Sequence, residues 1–514
     1  MRHTILHALG IPVALALTLV ACGQKPGVHV ESSPLARGSG AAGGAELLVE
    51  AGDEEALAAD GFGEDAALDG AFDVEGGDAA AADDLAAGDL GEGVDADADA
   101  ADGGGGSGDG AAGEQGGGGS GDAATAGGGG GGGGGSGGGG ARQPQGSDRT
   151  GVTDDTITLA VHAPVTGAAP LPSTSFEKSR DLYWRWITEA KGQKVLGRDK
   201  IEVIFADDRY DPNSAIQVCR NLAGRAFLLM GGGGTDQIQA CGRRMGQERV
   251  PYFSAGVTET GLEGNPWYFA ASMTYRQQAD LLAQYVKKTF PGKKVGAIVT
   301  QTPNFNDAVS GWEAAVKKHG LDYAGTQRHP KGDTTWYSSY AGELERRGVE
   351  VVFFLSSPLD YIRFAQSTDR DFHYVGVGVS KGLNDVLRSG CPHVGNGTFF
   401  SPFPALETAG KLDPEFQQAA SRFGVPADDI AWAIWGASKL QHAAFKSYEK
   451  TFGNDLTRED FRAVVASSGR VSTGVYPDVN YRPDNHFGGT GVHVLRADCG
   501  SRQYRDGGTF KSSF

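Results

Sequence analysis

Half of this chain's glycines are crowded into a quarter of its length. Of the 82 glycines in 514 residues, 41 lie between Gly23 and Asp148, together with 25 acidic and only 3 basic residues. The stretch holds two aromatics, Phe62 and Phe72, and runs out through unbroken glycine from Gly127 to Gly135. Low hydrophobicity with high like charge cannot offset the entropy of ordering, so residues 23–148 are expected to be a disordered acidic tether. A glycine-rich coil of that length spans roughly 60 Å. A solvated spacer accounts for it better than metal sequestration by its acidic repeats. The remaining body, Arg149 to Phe514, balances 39 acidic against 42 basic residues. It is long enough for one or two cores. It has no basic excess for nucleic acid and no second apolar run of membrane-spanning length, which excludes DNA-binding and polytopic classes.

Residues 1–22 have the form of an export signal. A short basic start, Met1-Arg-His3, precedes an apolar run from Ile11 to Val20 and then Leu19-Val20-Ala21-Cys22. A plain secretory signal ends in small residues; here a cysteine follows directly. The segment resembles the lipobox of bacterial lipoproteins, which implies that Cys22 is lipidated and becomes the mature N-terminus. Anchoring with more than one acyl chain is stable. The implied location is the outer face of the bacterial cytoplasmic membrane, with membrane contact through the anchor only.

From Thr156 the chain alternates β-branched runs with helical spacing. Strands are expected at Thr156–Val161, Lys200–Phe205, Phe227–Met230, Val250–Ser254, Lys294–Thr300, Glu350–Leu355 and His373–Val377. Helices are expected at Phe176–Lys191, Asn213–Gly224, Gln237–Gly246, Tyr275–Phe290, Phe305–His319, Trp336–Arg347, Leu359–Ser367 and Asp429–Tyr448. Such alternation gives parallel sheets covered by helices, with ligands bound beyond the carboxyl ends of the strands. The turns there are rich in Gly, Ser and Thr: Ala163-Pro-Val-Thr-Gly167, Gly231-Gly-Gly-Gly-Thr-Asp236, Ser254-Ala-Gly-Val-Thr-Glu-Thr260, Ser356-Ser-Pro358 and Gly378-Val-Ser-Lys-Gly382. Exposed backbone N–H groups and helix N-termini in such turns suit an anionic ligand group.

These turns carry a family resemblance. Gly151-Val-Thr-Asp-Asp-Thr-Ile157 with the first turn, Asp207-Asp-Arg-Tyr-Asp-Pro212, Val250-Pro-Tyr-Phe-Ser254 with Thr258, and Gly332-Asp-Thr-Thr335 with Val351-Val-Phe-Phe354 are similar in order and spacing to the leucine/isoleucine/valine-binding proteins, the type I substrate-binding proteins of ABC importers. The resemblance covers nearly all of the body. It implies two Rossmann-like lobes with parallel central sheets joined by hinge crossings, lobe 1 near 150–275 and 402–472 and lobe 2 near 276–401 and 473–514. It also implies a small-molecule solute and ABC permease partners, with no cofactor or metal. A ligand-sensing or adhesive surface lipoprotein with the same fold is the alternative.

The resemblance also assigns residues. Thr258 and the Gly256 amide, with Thr235 and the Gly234 amide nearby, occupy positions that hold an amino acid's carboxylate in the family. Phe305 matches a family aromatic, and Ser356, Ser357 and Ser380 are the other expected second-lobe contacts, with Trp432 as a wall from the first lobe. The family's acidic ligand for an α-ammonium has no counterpart at Val377-Gly378-Val379-Ser380. A buried ammonium without an anion is costly, so either Asp360 or Asp385 supplies one or the solute is an amide, carboxylate or hydroxylated molecule. Asp207 and Asp208 are expected as caps or hinge bonds more than as cleft contacts.

Beyond Cys22 there are four cysteines, Cys219, Cys241, Cys391 and Cys499, with no zinc-type spacing. An even count in an exported chain favours disulfides, and four allow three pairings. The family often bridges elements like the helices bearing Cys219 and Cys241, which leaves Cys391 to pair with Cys499. Gly378-Val-Ser-Lys-Gly382 also fits the G-x-S-x-G nucleophile elbow, with His442, His486 and His493 as candidate bases. Chance supplies such a match at this composition, and the tether holds another at Gly134-Gly-Ser-Gly-Gly138. A serine hydrolase using Ser380 is therefore the remote alternative to a non-enzymatic binding protein.

Overall fold

A computed structural model describes residues 141–167, 170–255, 259–377 and 382–511. The signal, Cys22 and the tether up to residue 140 lie outside them. Among the described residues no helix is long and apolar enough to cross a membrane.

Two sheets organise the body. The first contains β1 (Thr156–Ala163), β2 (Lys200–Asp207), β3 (Leu228–Gly231), β4 (Tyr252–Ser254) and β5 (Tyr268–Ala270) in the order β2-β1-β3-β4-β5, all parallel. The second is built from β6 (Val295–Gln301), β7 (Tyr323–Pro330), β8 (Val351–Leu355), β9 (His373–Val377), β10 (Gly397–Ser401), β13 (Gly491–Asp498) and β14 (Gln503–Lys511). Its order is β14-β13-β10-β9-β8-β6-β7, parallel except for the antiparallel β13 and β14. A small ribbon pairs β11 (Gly469–Val471) with β12 (Val479–Tyr481).

Local chemistry explains the borders. In β8, Val-Val-Phe-Phe-Leu is buried throughout, as expected for a parallel strand covered on both faces. The Pro212–Ala223 helix starts with proline at its first turn and the Asp211 carboxylate on the Ser214 N–H. Thr274 and Gln277 form a reciprocal capping box on the Tyr275–Thr289 helix. The expected single helix from Phe176 to Lys191 is instead Ser173–Ser179, Leu182–Arg185 and a wider turn at Trp186–Ala190. That arrangement buries Trp184 and lets the Trp186 indole donate to Glu415 at 3.0 Å.

Trp184, Trp432, Trp435, Phe445 and Phe461 belong to the core around the first sheet. The second sheet has a cluster on each face, one holding Trp312 stacked 4.5 Å from Phe353, the other holding Phe354, Tyr361 and Phe364. The chain crosses between lobes after β5, after β10 and after β12. The third comes after Tyr481 and not near 473, because Val475, Tyr476, Val479 and Tyr481 pack into the first-lobe core.

Cys219 bonds to Cys241 and Cys391 to Cys499, with Cα separations of 5.8 and 5.5 Å. His162 lies beside the first bridge, but its ring nitrogens are engaged by Asp208 at 2.7 Å and the Tyr252 hydroxyl at 2.8 Å. Residues 141–148, placed in the tether by composition, bond to the body: the Gln145 and Gly146 amides donate to Asp460, and Arg458 donates to Asp148 at 2.9 Å.

Candidate functional site

Where the strands of both sheets end, a cavity of about 380 Å³ lies between the lobes. Met230 to Asp236 after β3, Ser254 and Ala255 after β4, Thr300 and Thr302 around the end of β6, and Leu355 to Ser357 after β8 all line it. This is the strand-end crevice that open α/β sheets offer to ligands. Its size falls in the range of small-molecule sites, about 300–1,000 Å³.

Five sequence-assigned residues meet here: Gly234, Thr235, Phe305, Ser356 and Ser357. The Thr235 hydroxyl is 3.2 Å from that of Tyr275, whose ring meets Phe305 edge-on at 6.0 Å. Ser356 is buried, 2.6 Å from the Thr300 hydroxyl and donating to Asp360. The Ser357 hydroxyl accepts the Asp360 N–H at 3.0 Å and so caps the Pro358–Gln366 helix. Gly256, Thr258 and Ser380 lie outside the described residues, although their neighbours Ser254, Ala255, Val377 and Leu383 line the cavity.

Trp432 corrects an expectation. Its side chain is fully buried, 5.0 Å from the Phe416 ring, and does not reach the cavity. The helix carrying it, Asp429–Phe452, presents Ile430, Ala433, Ile434, Ala437 and Leu440 instead. A helix apolar around most of its circumference must bury two faces. That excess was the signal; the aromatics were taken by the core.

Charged side chains cluster toward the second lobe. Asp236, at the start of the Thr235–Glu248 helix, receives the Asn304 amide and stands 4.0 Å from Lys331, which lies 4.5 Å over the Tyr210 ring. Burial raises the Asp236 carboxyl above its ordinary value, against Lys331 and Asn304. Asp360 lines the cavity and accepts the Tyr337 hydroxyl at 2.7 Å, whereas Asp385 is not a lining residue and pairs with Arg388. Asp207 holds the first turn through the Val165 N–H at 3.0 Å. The lobes are also joined where Asp429, the first residue of its helix, accepts the Asn384 N–H at 3.0 Å. Burial pushes the Asp429 carboxyl up to about 6.

None of the three histidines considered as bases lines the cavity. His442 is bonded to Tyr183 at 2.7 Å inside the first core, and burial lowers it to about 4. His486 stacks on Phe269 at 4.7 Å, and His493 bonds the Val475 carbonyl.

Two lobes that share a cavity at their strand ends have the architecture of a bilobal solute-binding protein. The profile of the family described as periplasmic binding protein matches residues 156–506, and the chain belongs to that family. A Leu/Ile/Val-binding protein homologue from Brucella melitensis is 26% identical over 204 residues, 38% of this chain. The match spans about half, 54%, of that relative's length. Among solved structures, a fatty acid ABC transporter substrate-binding protein from Thermomonospora curvata superposes with a TM-score of 0.60 at 19% identity, covering 72% of this chain and 95% of its own. A branched-chain amino acid ABC transporter protein from Thermus thermophilus with bound valine gives 0.58 at 15%, covering 70% and 98%. A solute-binding protein from Rhodopseudomonas palustris in complex with 3,4-dihydroxybenzoic acid gives 0.55 at 17%, covering 70% and 98%. At these identities the likeness is one of fold.

Proposed function

We propose that this protein is the extracytoplasmic, lipid-anchored solute receptor of an ABC importer, tethered through Cys22 and the segment from residue 23 to about residue 140 and delivering an amino acid or related carboxylate to permease subunits. The observation that carries this reading is the cavity itself, set between the lobes at the strand ends of both sheets. Thr258 with the Gly256 amide, beside Gly234 and Thr235, would hold the solute's carboxylate. Binding rather than catalysis is favoured because His442, His486 and His493 are committed elsewhere. A sensing or adhesive lipoprotein would use the same cavity without a permease, and copurification with permease subunits separates the two.

The test is a thermal-shift screen of amino acids and carboxylates, followed by calorimetry and small-angle scattering. A cognate solute raises the melting temperature by mass action and compacts the protein. Thr258→Val removes one hydroxyl at constant volume and is expected to weaken that solute roughly 5- to 150-fold while sparing the fold. Unchanged affinity would move the polar grip away from this loop. Serine-probe labelling that vanishes in Ser380→Ala would replace binding with hydrolysis.

A further inference from the structure

The charged lining of this cavity comes mostly from one lobe. On the first-lobe side, Leu171, Phe176, Ile430, Ile434 and Leu440 line it, and none of them is charged. The Tyr476 hydroxyl on this side is committed to the Ala433 carbonyl at 2.6 Å. These side chains belong to, or pack against, the cluster that forms the first-lobe core, so this side is an opening in a hydrophobic core. Three of the four charged lining residues, Lys331, Asp360 and Arg363, come from the second lobe. The fourth, Asp236, is tied across to Asn304 and Lys331.

A contrast of this kind selects a ligand of matching polarity. A compact zwitterion would sit at the polar end and leave the apolar chamber without contacting atoms, forfeiting its dispersion and burial energy. At roughly 30 Å³ per water-sized group, the cavity of about 380 Å³ holds at least about a dozen non-hydrogen atoms, more than a branched-chain amino acid supplies. The chamber follows the flank of the Asp429–Phe452 helix, where Ala433 and Ala437 leave room between the larger side chains.

Resting on the solute-binding reading above, we propose that the solute is an amphipathic monocarboxylate with an extended apolar body of about eight to twelve carbons. The body lies along the Asp429–Phe452 helix in the first lobe. The carboxylate sits at the polar end, between the Gly234–Thr235 turn and the second-lobe polar wall. Ala433 and Ala437 set the usable chain length.

Calorimetric titration of the full chain with butanoate, hexanoate, octanoate and decanoate, and with leucine and glutamine, tests this. Affinity is expected to rise roughly fourfold per added methylene, with decanoate far tighter than leucine. Ala437→Phe is expected to weaken decanoate at least about tenfold while changing hexanoate less than about threefold. Ala433→Leu gives the same ordering if Ala437→Phe lowers the melting temperature. Affinity independent of chain length, leucine tighter than decanoate, or no binding of any chain would overturn the proposal. A length-independent loss in both variants would remove the apolar body from this helix. Compaction by a short polar solute would overturn it and leave the receptor reading standing, whereas no compaction by any solute in the wider screen would sink both.

Discussion

The two lobes meet the cavity with different chemistry although both are sheets covered by helices. The first lobe turns a helix flank toward it, Ile430 to Leu440, backed by Phe176 and Phe253. The second turns loops and helix starts toward it: Thr300, Thr302, Lys331, Ser356 and Asp360. The strand-end rule fixes where a ligand goes, but what covers the strand ends decides what that ligand can be. The lobes are also completed differently. The first receives the N-terminal strap at 141–148 and the helices at 409–466. The second receives the antiparallel hairpin β13–β14, with Cys499 at its turn bonded to Cys391.

The largest effect expected from that contrast is in the disulfides. Cys391–Cys499 closes a sequence separation of 108 and Cys219–Cys241 one of 22. Chain-entropy arguments give about 5 and about 3 kcal/mol respectively. Denaturant unfolding of the Cys391→Ser/Cys499→Ser and Cys219→Ala/Cys241→Ala proteins measures both. The reverse order would mean that packing lost around the fully buried first bridge outweighs loop closure.

Legibility in the sequence followed burial only in part. All seven expected strands are present, because runs such as Val351–Leu355 are apolar throughout and bounded by turns. β10, Gly-Thr-Phe-Phe-Ser, was missed although it is buried throughout, because only its two phenylalanines are strongly apolar; β5 and β7 were missed for other reasons. β5 is three residues long, and β7, Tyr-Ala-Gly-Thr-Gln-Arg-His-Pro, is a polar edge strand, where glycine and proline are tolerated. In the cavity, the small-residue turns supply Gly234, Thr235 and Ser356 to the lining. The apolar wall was hidden, since Ile434 and Leu440 read as ordinary core until a second buried face is known. Residues 141–148 were assigned to the tether by composition alone, which is blind to the pairing of Asp148 with Arg458.

Asp429 is where the lobes' contrast is sharpest, a first-lobe carboxylate capping a second-lobe helix that has no side-chain cap of its own. Asp428 opposes its ionisation, whereas Arg388 and the Asn384 N–H favour it. Its folded value of about 6 stands above the ordinary 3.8. The folded state therefore binds more protons between these values, and stability falls as pH rises through that window. Asp429→Asn keeps an acceptor for Asn384 without the buried charge. It is expected to gain on the order of 2–3 kcal/mol at pH 7 and to flatten the pH 4–7 stability profile relative to the parent. An equal slope in both proteins would place the titration elsewhere.

The smallest expected effect concerns how the first lobe is finished. Arg458 is nearly fully buried; it donates to the carbonyls of Phe227 at 3.1 Å and Ala223 at 2.7 Å and to that of Ala226, and among the described residues its carboxylate partner is Asp148 at 2.9 Å. A body beginning at Arg149 removes that partner and also the Gln145 and Gly146 amides that Asp460 accepts at 2.9 and 2.8 Å. Asp148 is about one-third exposed, so water replaces part of the interaction. The net loss is expected to be about 1.5–3 kcal/mol, the range for a hydrogen bond to a charged group. A body beginning at Ala141 should match the full chain, because it keeps the strap and discards only the tether. Chemical unfolding of the two truncations beside the full chain measures the difference. Equal midpoints would show that the strap adds no stability, and that the first lobe, unlike the second with its stitched hairpin, is complete without a terminal segment.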